Sequence, residues 1–155
     1  MADTPLVVRR ARAEDLPSIL NLLAQDAIVE IPIETGPPVP AYYLDAFARI
    51  DTDPGELLAV ADIDQTVVGT FQMSFIPYLM WRGGHVAQIE FVRVTASLRG
   101  QRIGERMMRW AIDHARARGC ARVQLDTNNS RTDAHRFYER LGFKATHTGM
   151  KLFLG

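Results

Sequence analysis

Two runs rich in β-forming residues, Glu56 to Ile63 and Thr66 to Ile76, are separated only by Asp64 and Gln65, and no other feature constrains the chain as much. A two-residue link can only return the chain alongside itself, so the runs predict an antiparallel hairpin. The pattern then changes. "PYLMWRGG", Pro77 to Gly84, interrupts, and His85 to Val94 reads as a further strand. A helix follows with Ile103, Met107, Met108, Ala111, Ile112 and Ala115 on one stripe, stopped by Gly119. Arg122 to Leu125 reads as a short strand. Ser130 and Asp133 resemble a capping box opening a last helix, with Ala134, Phe137, Tyr138 and Leu141 on its buried stripe and Gly142 at its end. Lys144 to Thr148 and Met150 to Leu154 read as two final short strands.

Ahead of the hairpin, Leu6 to Arg10 predicts a strand. Leu16, Ile19, Leu20, Leu23 and Ala27 have helical spacing, with Pro17 tolerated in the first turn. Glu30 to Pro40 holds four prolines and a glycine and must be a loop, and "AYYLDAFARI" can form a short helix before Asp53-Pro54-Gly55 breaks it. Antiparallel strands followed by two strand and helix units imply a mixed sheet covered by helices, an α/β or α+β domain. At 155 residues, 47% apolar and 23% charged, a single domain spanning 1–155 is expected. No run of about 18 apolar residues occurs and the start lacks the apolar core of a signal peptide, so a cytoplasmic protein is expected, neither inserted in membrane nor secreted. Cys120 is the only cysteine, and His85, His114, His135 and His147 lack metal-site spacing, so no metal is expected.

Net charge is zero but unevenly spread. Up to Val92 there are 5 Arg against 13 acids, and from Arg93 onward 13 Lys and Arg against 5 acids. Either two differently charged partners are held by the two halves, or arginines on solvated helix faces fall late in the chain. The stretch "LRGQRIGERMM", Leu98 to Met108, bears on that choice. A helix beginning just after a strand presents unpaired N–H groups and the positive end of its dipole, and Gly100 and Gly104 let an anion approach that backbone. Arg99 and Arg102 would suit a pyrophosphate. The stretch lacks the Lys-Ser/Thr of a P-loop, and its glycine spacing is not G-x-G-x-x-G. A glycine-containing turn with solvated arginines is the alternative.

"FVRVTASLRGQRIGERMM" resembles the acyl-CoA signature of the GNAT superfamily of N-acyltransferases, an Arg or Gln followed by x-x-Gly-x-Gly or Ala between a central strand and a helix. Arg99 and Gly104 match it, and Arg102 stands where the family usually has its first glycine. "AHRFYERLGF", Ala134 to Phe143, is similar to the family's late Ala-x-x-x-Tyr-Glu-x-x-Gly-Phe block. The element order agrees from Leu6 to Leu154. The resemblance implies a mixed, mostly antiparallel sheet of six to seven strands flanked by about four helices, with acetyl-CoA as cofactor. Candidate cofactor-side positions are Val92 and Val94 on the central strand, the turn Arg99, Gly100, Gln101, Arg102, Ile103, Gly104 and Glu105, and Tyr138. Arg131 occupies the place of an asparagine that touches the cofactor in many members; the position is kept, the asparagine's contact is not.

Acetyl transfer to an amine needs a base, support for developing negative charge and a proton for the departing thiolate. Tyr138 matches the family tyrosine near the sulfur, although its apolar stripe also suits a core tyrosine with a satisfied hydroxyl. Glu90 is the candidate base. By strand alternation Gln88, Glu90, Val92 and Val94 are expected on one face, and Glu90 is either that base or the ion-pair partner of an arginine such as Arg93 or Arg109. Glu30, Glu34, Tyr42, Tyr43 and Trp81 fall where relatives build the acceptor site. The expected activity is N-acetylation of a small-molecule or peptide amine by direct transfer in a ternary complex, without metal, nucleic acid or membrane, with a homodimer as the conceivable assembly. A non-catalytic acyl-CoA-binding sensor or interaction module is the alternative.

Overall fold

The computed structural model describes residues 5–25 and 31–155. The hairpin forms as expected: β2 (Glu56–Ile63) and β3 (Thr66–Pro77) pair antiparallel from Glu56 with Ser74 to Ile63 with Thr66. Asp64 and Gln65 between them both have positive φ, 50° and 64°, which matches the turn to the right-handed twist of the strands. β1 (Val7–Arg10) joins β2 antiparallel and β4 (His85–Val94) joins β3 antiparallel, while β5 (Arg122–Leu125) pairs parallel with β4. The sheet order is β1-β2-β3-β4-β5.

Helices cover both faces. On one side α1 (Leu16–Ala24) and α2 (Ala41–Thr52) bring Ile19, Leu23 and Phe47 against Val60 and Leu58. The segment Met80–Gly83, α3, is a single turn in which Trp81 and Arg82 take left-handed φ. On the other side α4 (Ile103–Ala117) buries Ile103, Met107, Met108, Ala111 and Ala115 against Ala59, Phe71, Met73, Ala87 and Ile89, and α5 (Thr132–Arg140) adds Phe137 and Tyr138 at the margin of the same core. Gly69 sets how close α4 comes: a Cβ there would stand 2.6 Å from Met107 Sδ and 3.1 Å from the Arg93 carbonyl.

Three expectations change. Neither Lys144 to Thr148 nor Met150 to Leu154 is a strand, so the described sheet has five strands rather than six to seven. Met150, Leu152, Phe153 and Leu154 are instead exposed: among the described residues no strand pairs beyond β5, so these side chains gain no burial in the sheet. Ser130 does not cap α5; its N–H and hydroxyl both donate to Asn128 Oδ1, and Arg131 takes the N-cap position. Ala27 and Glu30 lie outside the described residues.

Candidate acetyl-transfer site

β4 carries one residue more than β3 in the middle of their pairing. Gln72 faces Glu90 but Thr70 faces Arg93, and the shift is taken up at Phe91, whose φ is 56° and whose ring is exposed. Such a bulge reverses the alternation beyond it. The expectation that Gln88, Glu90, Val92 and Val94 share one face is therefore corrected. Val92 and Val94 pack on the α4 side of the sheet, whereas Gln88 and Glu90 belong to the opposite face, beside Gln72 and Ser74. On its other edge β4 pairs with β5 only from Val86 to Ile89. From Glu90 to Val94, β4 has no ladder partner on that edge among the described residues.

The turn after β4 follows this stretch. Gly100 has φ 83° and a Cβ there would meet nothing within 4 Å. Arg102, the N-cap of α4, has φ 61°, a conformation that costs a side-chain-bearing residue about 1 kcal/mol and explains why a glycine is the easier occupant of this position. The N–H groups of Ile103, Gly104 and Glu105 occupy the first turn, where the helix itself offers no acceptor. A Cβ on Gly104 would sit 3.5 Å from the Phe137 ring and 3.7 Å from Val94 Cγ2, so helix, strand and α5 converge at this glycine. These features fit an elongated anionic cofactor whose phosphates meet backbone amides.

The arginines are arranged differently from expectation. Glu105 accepts from Arg102 at 2.9 Å and from Arg109 at 2.8 Å, and the two guanidinium groups hold its carboxyl at about 2. Arg109 is thus committed to Glu105 rather than to Glu90. Glu90 Oε1 accepts from Gln88 Nε2 at 3.0 Å. Arg93 donates through Nη1 to the carbonyl of Val92 at 3.0 Å, and Arg99 is exposed at the turn.

Tyr138 is half-buried, its ring edge-on to Phe137 at 5.1 Å and to Phe143 at 5.8 Å. Its hydroxyl has no hydrogen-bond partner among the described residues and is not among the sealed polar atoms. Burial pushes the hydroxyl above the ordinary tyrosine range; the charges of Arg93 and Arg131 pull it down, and that of Glu90 pushes it up. Three charged groups therefore bear on one protonated hydroxyl.

On the acceptor side, desolvation and a hydrogen bond to Glu34 push the Tyr42 hydroxyl up to about 12, and the Tyr42 and Tyr43 rings lie 4.6 Å apart. Glu34, Tyr42 and Tyr43 thus form one group at the start of α2. Trp81 is apart from them, under the guanidinium of Arg122 at 5.2 Å. Sequence reasoning missed Arg122 and Gln124, which join Glu90 and the expected Gln88 on one sheet face; the available signal was polar residues two apart in two short strands. Among the described residues no cluster of His, Cys, Asp and Glu could hold a metal ion, and no helix is long and apolar enough to cross a membrane.

A bulged central strand whose pairing on one edge ends at Ile89, feeding a glycine turn and helix, defines an acyltransferase architecture. The chain belongs to the acetyltransferase (GNAT) family, whose model matches residues 16–143, and it is an N-acetyltransferase. It is 30% identical over 140 residues to the aminoalkylphosphonate N-acetyltransferase of Salmonella typhimurium, covering 90% of this chain and 86% of that one. It is 29% identical over 151 residues to the glucosamine 6-phosphate N-acetyltransferase of Trypanosoma brucei brucei, covering 96% of each. Among solved structures, one from Bacillus halodurans described as a transcriptional regulator superposes with a TM-score of 0.92 at 40% identity, covering 97% of this chain and 100% of that one.

Proposed function

We propose that the chain is a single catalytic domain that uses acetyl-CoA to acetylate a small primary amine by direct transfer, with an anionic phosphorus group on the acceptor. The mechanism is supported by the lack of a ladder partner for β4 beyond Ile89, where Glu90 stands, and by the charge of Glu90 bearing on the Tyr138 hydroxyl of α5. Acetyl-CoA supplies the activated acetyl thioester. The first-turn amides of α4, with Gly100 and Gly104, would hold its phosphates, and the backbone at Val92 and Val94 its arm. Glu90 takes a proton from the acceptor ammonium, the freed amine attacks the acetyl carbonyl as the C–S bond breaks, Tyr138 Oη gives its proton to the departing sulfur, and the second proton shed by the acylated nitrogen restores Tyr138.

The acceptor class is supported by two relatives, whose names specify an aminoalkylphosphonate and glucosamine 6-phosphate, both amines bearing an anionic phosphorus group. Glu34 with Tyr42 offers a carboxylate for the amine. Copies pair as a homodimer in the cytoplasm, and the exposed apolar side chains of Met150, Leu152, Phe153 and Leu154 support the pairing. Light scattering on the eluting peak measures the assembly; a monomer at micromolar concentration rejects it.

The decisive assay is thiol release from acetyl-CoA with 2-aminoethylphosphonate, glucosamine 6-phosphate and their dephosphorylated analogues. Turnover with the phosphorus-bearing amines and much less with the analogues is expected. CoA binding without thiol release from any of these amines would reject this acceptor class.

A further inference from the structure

The sheet face that carries Glu90 also carries an uninterrupted row of polar side chains. Arg122 Nε donates to Gln124 Oε1 at 3.0 Å, Gln124 Nε2 donates to Gln88 Oε1 at 2.7 Å, and Gln88 Nε2 donates to Glu90 Oε1 at 3.0 Å. The row is dictated by topology: Gln88 and Gln124 are register partners in the parallel pair β4 and β5, and their neighbours two residues away extend it at either end. Gln72, opposite Glu90 in β3, turns its Nε2 to Glu56 instead, at 3.0 Å. Support for the Glu90 carboxylate therefore comes from the β5 side.

The two ends fix the direction of the row. A guanidinium can only donate and an ionised carboxylate can only accept, so each amide between them has a single orientation that satisfies both of its neighbours. Neither glutamine can flip without placing two oxygens or two N–H groups face to face. We propose that Arg122, Gln124 and Gln88 form a polarised hydrogen-bond chain that positions the Glu90 carboxylate, occupying Oε1 and directing Oε2 to the acceptor amine. Gln88 and Gln124 are positioning residues. The outer end of the chain rests on the Pro77 to Gly84 segment, since Arg122 lies over the ring of Trp81. The inference deepens the proposed role of Glu90 as base and rests on it.

Gln88→Met and Gln124→Met keep side-chain length and remove the amide. With whichever of 2-aminoethylphosphonate and glucosamine 6-phosphate turns over, both should lower kcat, Gln88→Met by about tenfold and Gln124→Met by less, with acetyl-CoA affinity and Tm unchanged. Gln124→Glu should cost more than Gln124→Met, because a second carboxylate invites the Gln88 amide to turn and aim its oxygen at Glu90. In a Glu90→Gln background neither glutamine substitution should cost anything further; losses that multiply would mark a merely structural role and overturn the proposal, as would full kcat in both methionine variants. If Glu90→Gln itself keeps full kcat, or neither amine turns over, the reading of Glu90 or of the acceptor has failed, and the chain is judged separately. For that, side-chain amide resonances are recorded on the full-length protein: Glu90→Met should move the signal of Gln124, with which Glu90 has no direct contact, and a stationary signal overturns the chain.

Discussion

Glu90 and Val92 are two residues apart on β4 and point to opposite faces of the sheet, because Phe91 between them has φ 56° and inserts one extra residue against β3. The consequence is a division of labour at one place in the fold. The α4 side receives Val92 and Val94 beside the cofactor turn, and the opposite side receives the carboxylate. Beyond Ile89 the strand has no ladder partner on the β5 side among the described residues.

Gly104 should be tolerant in folding and intolerant in binding. A Cβ there makes ordinary contacts with Phe137 and Val94, so Gly104→Ala should fold normally and gain up to about 1 kcal/mol of helix stability. Gly104→Asp adds a carboxylate among the first-turn amides and should weaken CoA at least about tenfold, as titration calorimetry would show. Unchanged affinity in a folded Gly104→Asp variant removes the phosphates from this turn.

Tyr138→Phe should lower kcat by about 10², the lower end for loss of a general acid because solvent can also protonate a thiolate. Its Tm should barely move, since the hydroxyl has no partner to lose. Burial raises the hydroxyl's proton affinity, so the proton is retained throughout the neutral range and any alkaline fall in kcat due to Tyr138 should lie above pH about 10. Full kcat with a lowered Tm would make Tyr138 a packing residue.

Glu105 places a negative charge at the same helix start that should meet phosphate, and ties up Arg102. Glu105→Gln should therefore tighten CoA by about two- to fivefold at low ionic strength, the gain shrinking at high salt. With its carboxyl held at about 2, Glu105 stays ionised in any ordinary assay, so the difference between wild type and variant should not vary between pH 5 and 8.

Arg9 bridges Asp15 and Asp62, each at 2.8 Å, and Asp15 also accepts from the Arg12 N–H at 2.7 Å. Arg9→Met leaves two buried carboxylates without their cation and should cost about 2 to 4 kcal/mol in urea denaturation. The hydrogen bond from Arg9 is the main cause holding the Asp15 carboxyl below its ordinary range, with burial opposing it. A depressed carboxyl stabilises the fold fully above its unfolded value near pH 4 and less as pH falls through the folded value. Asp15→Asn should thus flatten the acid limb of stability below pH about 4; an unchanged limb would mean that Asp15 contributes nothing there.

Much was legible in the sequence because it depends on local pattern. The hairpin follows from two linking residues, the α4 stripe from helical spacing, Arg122–Leu125 from a short β-rich run before a loop, and the turn between β4 and α4 from glycines at a strand-to-helix junction. Tertiary structure alone decided the rest. Alternation put Glu90 and Val92 on one face, and a bulge reversed it, because the bulge depends on β3 lying opposite with one residue fewer. Helical spacing could not show that Arg109 and Arg102 both close on Glu105. Nor could either strand alone show that Gln88 and Gln124 meet: that contact exists only because β5, 36 residues later in the chain, pairs parallel with β4 in this register.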